Sequence, residues 1–219
     1  MDREFYLPYL LNYTQPVVDD IVIYCVAMLL SILVAAEGQG LVATLLGDSR
    51  PGAKDRLHFN VFMHMSVLGT LNFFVAGFGW PKEIKIDSAN FKKHPKISLI
   101  ISRLAGPLSN ILLANIAASL SWILSNWGVH DQVFSSIVVV NVTMAVYGLI
   151  MVPPLPGFAI LSALFPANGA AEKIKKLLYT VGPFFIVGVF LFIRISGWEG
   201  VSSVVNPIVS ALTTFTLDI

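Results

Sequence analysis

The stretch Leu104-Ala105-Gly106-Pro107-Leu108-Ser109-Asn110 decides the fold, because it places small residues and a helix breaker in the middle of an apolar run. That run extends from Ile97 to about Leu124 and is long enough to cross the roughly 30 Å hydrocarbon core of a bilayer. Proline is tolerated in a membrane helix where neighbouring helices satisfy the freed backbone groups. The stretch therefore predicts a membrane helix packed tightly against other membrane helices.

The composition extends this prediction to the whole chain. Of its 219 residues, 56% are hydrophobic and only 12% are charged, and the mean hydropathy is +0.77, well outside the range of ordinary soluble domains. No segment shows the alternation of a membrane β-barrel, so we expect an all-α integral membrane protein in contact with the lipid bilayer. The formal net charge of +1 gives no reason to expect nucleic-acid binding.

The hydropathy pattern predicts five to six transmembrane helices. The predicted spans are Ile21 to about Leu46, Leu57 to about Phe78, Ile97 to about Leu124, Val133 to Ile150 and Leu177 to Ile195, and Val201 to Leu217 is either a sixth span, which we favour, or an interfacial helix. We divide the chain into an interfacial N-terminal segment (1–20), a membrane core (21–165) and C-terminal membrane helices (166–219).

Two loops between these spans have patterns of their own. Glu83-Ile84-Lys85-Ile86-Asp87 alternates as a strand does, which predicts a short β-like segment at the membrane surface after the second span. Lysines are concentrated in the loop from Pro81 to Lys96 and in the turn after Phe165. By the positive-inside rule, we expect both lysine-rich loops on the cytoplasmic side.

Five short motifs follow one another along the membrane core. They are Ala36-Glu37-Gly38-Gln39-Gly40 with Gly47-Asp48, Asn60 and His64 with Gly69-Thr70, Phe78-Gly79-Trp80 with Asn90-Phe91, Leu104 to Asn110, and Pro153-Pro154-Leu155-Pro156-Gly157. In this order they resemble the compact bacterial and archaeal members of the site-2 protease (M50) family of intramembrane zinc metalloproteases. The resemblance covers about Ile21 to Phe165 and implies the bundle of that family in a bacterial or archaeal cell (inner) membrane.

The chain departs from this family at the metal site. In such a protease, the two His of H-E-x-x-H and the Asp of a Pro-Pro-Leu-Asp-Gly loop hold zinc, while the Glu acts as general base. The corresponding ligand positions are Ala36, Gly40 and Pro156, and a family Asn near the substrate falls at Gly148. The resemblance thus implies that only Glu37 remains, and we predict no catalytic residue, no metal and no cofactor.

Small residues replace the lost ligands. Ala36, Gly40, Ala43 and Gly47 are spaced to lie on one stripe of a helix, which either packs closely on another helix or fills the vacated cavity. The other predicted packing residues are His64, Gly106, Pro107 and Asn110.

We expect the ionisable groups of the membrane core to have structural roles rather than chemical ones. An intramembrane carboxylate is costly. We interpret Glu37 as a remnant, protonated or paired with Gln39 or His64, rather than a proton-handling group. His64 is expected to order the start of its helix, and Arg103 to extend towards the membrane surface.

Three hypotheses about function are consistent with these residues. The leading hypothesis is an inactive member of the family, acting as a scaffold subunit of a membrane complex or as a non-cleaving binder of transmembrane segments, with other integral membrane proteins as partners. The alternative is an active intramembrane zinc metalloendopeptidase with relocated ligands: Glu37, His64 and at least one more donor among Cys25, Asp48 and His58. A transport component is the third, although the chain lacks the repeat usual in transporters.

Overall fold

The computed structural model describes residues 16–48, 57–129, 131–164, 169–198 and 200–217. Most of the predicted N-terminal segment therefore lies outside the described residues. The helices are α1 (Val18–Leu45), α2 (Val61–His64), α3 (Val67–Ala76), α4 (Pro95–Asn126), α5 (Gln132–Gly148), α6 (Pro156–Leu164), α7 (Gly169–Ser196) and α8 (Gly200–Leu217), with a short 3-10 turn at Ser88–Asn90.

Four of the described helices are long and apolar enough to cross a membrane: α1, α4, α7 over Ala171–Ser196, and α8. The chain is therefore a multi-pass membrane protein that contacts lipid through its apolar helices. Helices α3 and α5 are apolar but shorter. They cover only part of the second predicted span and most of the fourth, so the count of five to six spans stays a prediction.

The second predicted span, Leu57 to Phe78, is not one helix. Helix α2 covers four residues, and α3 starts after a break at which Ser66 adopts an extended conformation. Two side chains cap the resulting ends: Phe62 N–H donates to Asn60 Oδ1 (3.1 Å), and Gly69 N–H donates to Ser66 Oγ (3.2 Å). Such local bonds satisfy the first N–H groups of each helix and make the break stable.

The β-like segment is also not confirmed. Among the described residues the only pairing of this kind is an isolated antiparallel bridge between Met65 and Pro81. The predicted alternation does exist in burial, since Ile84 and Ile86 are buried while Lys85 is exposed. The segment is therefore an extended chain that anchors itself through alternate side chains, without a neighbouring strand.

This segment covers the small-residue stripe of α1. Ala36 and Ala43 are fully buried and belong to one apolar cluster with Ile84, Ile86 and Phe91. Gly40 is buried as well. Gly47 lies beyond the end of α1, is exposed and has φ +101°. It therefore does not lie on the helical stripe on which the sequence spacing places it. The stripe packs against its own chain rather than presenting a surface to another protein.

The centre of the bundle is formed by α1, α4 and α5, and α1 crosses α4 at two glycines. A Cβ atom on Gly38 would overlap Ser109 Oγ, and one on Gly106 would lie 2.8 Å from Gln39 Nε2. Close approach of this kind is the main source of helix association in membranes. The Ala-Gly-Pro stretch of α4 therefore packs directly on the part of α1 that carries Glu37.

Arg194 of α7 ties the end of α3 to the bundle. Its Nη1 donates to the carbonyl oxygens of Phe74 (2.9 Å) and Val75 (3.1 Å), two of the last carbonyls of α3.

We expect Arg194→Leu to lower the free energy of unfolding by about 1–3 kcal/mol, because two hydrogen bonds to the end of α3 would be lost in an apolar setting. Thermal unfolding in mild detergent measures the effect. Phe192→Ala is the matched control, since Phe192 lies on the same helix and is 60% exposed. An equal loss of stability in the control would contradict this role of Arg194.

Candidate metal centre

Glu37 lies in α1 and is 7% exposed. Its Oε1 accepts hydrogen bonds from the backbone N–H groups of His58 (3.2 Å) and Phe59 (2.8 Å), and lies 3.0 Å from His64 Nε2. Phe59 has φ +50°, and this left-handed turn brings both N–H groups onto one oxygen. Of the two partners predicted for Glu37, the structure places His64 beside it.

Two histidines face this carboxylate together. The rings of His58 and His64 are stacked with centroids 4.4 Å apart and 22° between their planes. One potential ligand atom from each of Glu37, His58 and His64 lies within 4.8 Å of the other two. His64 is 5% exposed, and His58 is the most exposed of the three. The cluster is thus buried on one side and accessible on the other.

The cluster fits a zinc ion in two respects. Two imidazoles and one carboxylate are a donor set of catalytic zinc sites, in which the fourth position stays open for water or substrate. Glu37 Oε2 is buried and has no hydrogen-bond partner among the described residues. Since a buried, unpaired carboxylate oxygen is costly, a cation beside it would satisfy the oxygen that the backbone leaves over.

The vacated ligand positions lie elsewhere. Gln39, Pro107, Asn110, Gly148 and Pro156 line a small, mainly apolar cavity bordered by α1, α4 and α5, and none of its lining residues is His, Cys, Asp or Glu. Gly148 and Pro156 thus border a cavity without an ionisable donor among the described residues. Ala36 is fully buried against the extended segment 84–91.

The predicted packing residues of α4 lie at the α1 crossing. Gly106 approaches the side chain of Gln39 and the Ala35 carbonyl. Pro107 is buried, and Asn110 is 1% exposed with its Oδ1 lacking a partner among the described residues. Their role as packing residues stays a prediction.

Arg103, whose extension towards the membrane surface stays a prediction, makes a contact that the sequence does not predict. It is 8% exposed, and its Nη1 donates to Gln39 Oε1 (3.1 Å) inside the bundle. The reason is the close α1–α4 crossing, which brings a neutral acceptor within reach of the guanidinium at a buried position.

The chain is similar to a bacterial protein of known name. It is 29% identical over 177 residues to "Putative zinc metalloprotease YwhC" of Bacillus subtilis (strain 168), a match that covers 77% of this chain and 78% of that protein. No protein-family model matches the chain. No solved structure matches it. The similarity supports the resemblance to M50-like membrane proteins.

Two findings contradict the prediction that the chain is not an enzyme. The relative bears the name "Putative zinc metalloprotease YwhC", and Glu37, His58 and His64 form a possible metal site. The prediction was wrong because it gave too little weight to relocated ligands, since the sequence does not show that His58 lies beside both Glu37 and His64. His58 is the third potential donor, and the available signal was its place among the few donors near Glu37 in the sequence.

Proposed function

We propose that this chain is an intramembrane zinc metallopeptidase whose metal is held by Glu37, His58 and His64. The observation that carries the proposal is that one potential ligand atom from each of these three residues lies within 4.8 Å of the other two, beside a buried carboxylate whose Oε2 has no hydrogen-bond partner among the described residues. The similarity to the protein named "Putative zinc metalloprotease YwhC" supports the same reaction class. We place the activity in a bacterial or archaeal cell membrane, as the family resemblance implies.

The residues of the cluster have separate tasks in this proposal. A bound zinc ion supplies Lewis-acid chemistry, polarising a peptide carbonyl and making water a better nucleophile at neutral pH. The backbone N–H groups of His58 and Phe59 hold Oε1 of Glu37, which fixes the carboxylate that would be one of the metal ligands. His64 is buried against Glu37, with its Nε2 3.0 Å from the same oxygen, and would be one of the two imidazole ligands.

The surroundings of the cluster favour a substrate within the membrane. Phe59, Phe62 and Met63 are 76%, 73% and 62% exposed and lie on the segment that carries both histidines. On a membrane protein, exposed apolar side chains of this size face lipid or a membrane-embedded partner. A polypeptide reaching His58 across this surface would itself be a transmembrane segment.

Metal analysis of the full chain, purified in mild detergent, tests the proposal. We expect about one zinc per chain, as a site with three protein ligands requires. Chelation should abolish cleavage of a transmembrane reporter peptide, and added zinc should restore it. A chain that takes up no zinc, or that cleaves the reporter equally well after complete chelation, would rule the proposal out.

A further inference from the structure

Exposed lysines lie beside the metal cluster. The backbone N–H of Lys82 donates to the carbonyl oxygen of His64 (2.6 Å), while the Lys82 side chain is exposed. This bond uses only the backbone of Lys82, so its ammonium group takes no part in holding the candidate ligand. A cationic side chain therefore lies next to the segment that carries the two histidines.

Three further exposed lysines lie near the end of α1. Glu37 is eight residues before the last residue of α1, which is about 12 Å along the helix. Near that end, Ala43 belongs to one apolar cluster with Phe91, and Leu99 packs against the same cluster. The exposed lysines between Phe91 and Leu99 in the chain are Lys92, Lys93 and Lys96. Together with Lys82 they form the lysine track, which leads from the metal cluster to the end of α1.

The carboxylates beside the lysine track are already engaged within the chain. Glu83 Oε1 lies 3.8 Å from Arg103 Nη2, and Asp87 Oδ1 accepts a hydrogen bond from the backbone N–H of Ala89 (3.0 Å). No ion pair joins the four lysines of the track to another residue in the part of the chain that the structure describes. The track is therefore a line of exposed cations that can pair with the carboxylates of another molecule.

We propose that the lysine track binds an acidic stretch of the substrate, next to the transmembrane segment that is cleaved. This inference rests on the proposed function, because the metal cluster fixes where the cleaved bond lies. Complementary charges on facing surfaces speed the encounter of two molecules and select among partners. The apolar surface around Phe59 would thus accept many transmembrane segments, and the track would select those that continue into acidic residues at the end of α1.

The length of the track sets the spacing that the substrate needs. A distance of about 12 Å corresponds to about eight residues of a helix or about four residues of extended chain. Lys82 lies next to His64 at the start of the track, whereas the other lysines lie near the end of α1. We therefore expect the acidic residues to begin about four to eight residues from the cleaved bond.

Anionic lipids are the other class of partner that lysines near a membrane surface attract. The polypeptide is favoured because the backbone of Lys82 is bonded to the candidate ligand His64, so the track begins at the metal cluster. A lipid headgroup would need only the lysines at the end of α1. An acidic polypeptide that reaches the metal cluster would contact both ends of the track.

Cleavage by the full, zinc-loaded chain in phosphatidylcholine nanodiscs tests the proposal, with three reporter peptides that share one transmembrane segment. The first carries four Glu at the end of this segment, the second carries four Gln there, and the third carries the four Glu well beyond the length of the track. We expect KM for the first reporter to be about three- to tenfold lower than for the other two, because exposed charge pairs each contribute little. Binding to the chelated chain, measured by fluorescence anisotropy, should show the same preference without cleavage.

Lys82→Gln should lower this preference about two- to threefold, since one cation of the track is lost while the backbone bond to His64 is kept. Its zinc content should equal that of the wild-type chain. Lys173→Gln is the matched control, because Lys173 is exposed near the start of α7 and lies outside the track. This control should retain the full preference. Raising the salt concentration should reduce the preference of the wild-type chain, since exposed charges are screened.

An equal loss in Lys173→Gln and Lys82→Gln would overturn the proposal, because it would show general attraction to a basic protein surface. A preference that disappears when phosphatidylglycerol replaces a third of the phosphatidylcholine would assign the lysines to lipid and overturn it as well. Equal KM values for the three reporters in a zinc-loaded, active chain would contradict the lysine track alone. A chain without zinc that still binds the first reporter preferentially would contradict the proposed metal centre alone.

Discussion

Glu37→Gln should lower the zinc content of the purified chain to less than about a tenth of the wild-type value, because a neutral amide is a poor zinc ligand. Cleavage of a transmembrane reporter should fall at least about a hundredfold, more than the loss of a residue that only supports a ligand. The fold should persist, since the Gln oxygen can still accept from the N–H groups of His58 and Phe59. Elemental analysis and reporter cleavage in detergent measure the two effects.

The matched control for this variant is His94→Asn. His94 is exposed, lies outside the metal cluster and has φ +46°, a conformation that Asn adopts more readily than most residues. It should keep both zinc and activity, whereas His64→Ala should lose both. If Glu37→Gln kept its zinc and lost only cleavage, Glu37 would be a general base and its assignment as a ligand would be contradicted.

The long helices are the part of the fold that the sequence predicts well. The first span was expected from Ile21 to about Leu46 and is observed as Val18–Leu45; the third was expected from Ile97 to about Leu124 and is observed as Pro95–Asn126. An apolar run of this length can form few structures other than a helix in a membrane, because a helix satisfies all its backbone groups without water. Hydropathy along the chain is therefore sufficient for these elements.

The broken second span required information from far along the chain. The carbonyl of His64 accepts a bond from Lys82 N–H (2.6 Å), so this group has a partner outside its own helix. The run of apolar residues from Leu57 to Phe78 predicts one helix. Such a pattern contains no information about contacts with a later segment of the chain. The break matters because it separates the histidines from α3.

Only part of the candidate site could be predicted from the sequence, because its geometry also depends on contacts between segments that are far apart in the chain. The order of the motifs draws attention to Glu37, but it predicts a remnant without a metal, with no ligands at Ala36, Gly40 and Pro156. The role of His58 depends on the left-handed turn at Phe59, which folds its segment back onto α1. No local pattern in the sequence predicts that turn.

Gly69 and Gly79 lie at the contact that connects this broken span to the rest of the fold. A Cβ atom on Gly69 would overlap the Trp80 carbonyl oxygen, and one on Gly79 would overlap the carbonyl oxygen of Gly69 and the Phe73 ring. Two backbone segments thus touch without intervening side chains. Because backbone atoms cannot rotate out of the way, any added Cβ must displace a whole segment.

We expect Gly69→Ala to lower the free energy of unfolding by about 2–4 kcal/mol and to reduce zinc content as well. The loss of zinc follows because Trp80 leads directly into Lys82, whose N–H donates to the carbonyl of His64. Gly188→Ala is the matched control: Gly188 lies within α7, and a Cβ there would meet no atom within 4 Å, so this variant should gain up to about 1 kcal/mol. Thermal unfolding in detergent, read beside elemental analysis, measures both quantities. A stable Gly69→Ala chain with full zinc would show that the contact neither supports the fold nor positions the metal ligand.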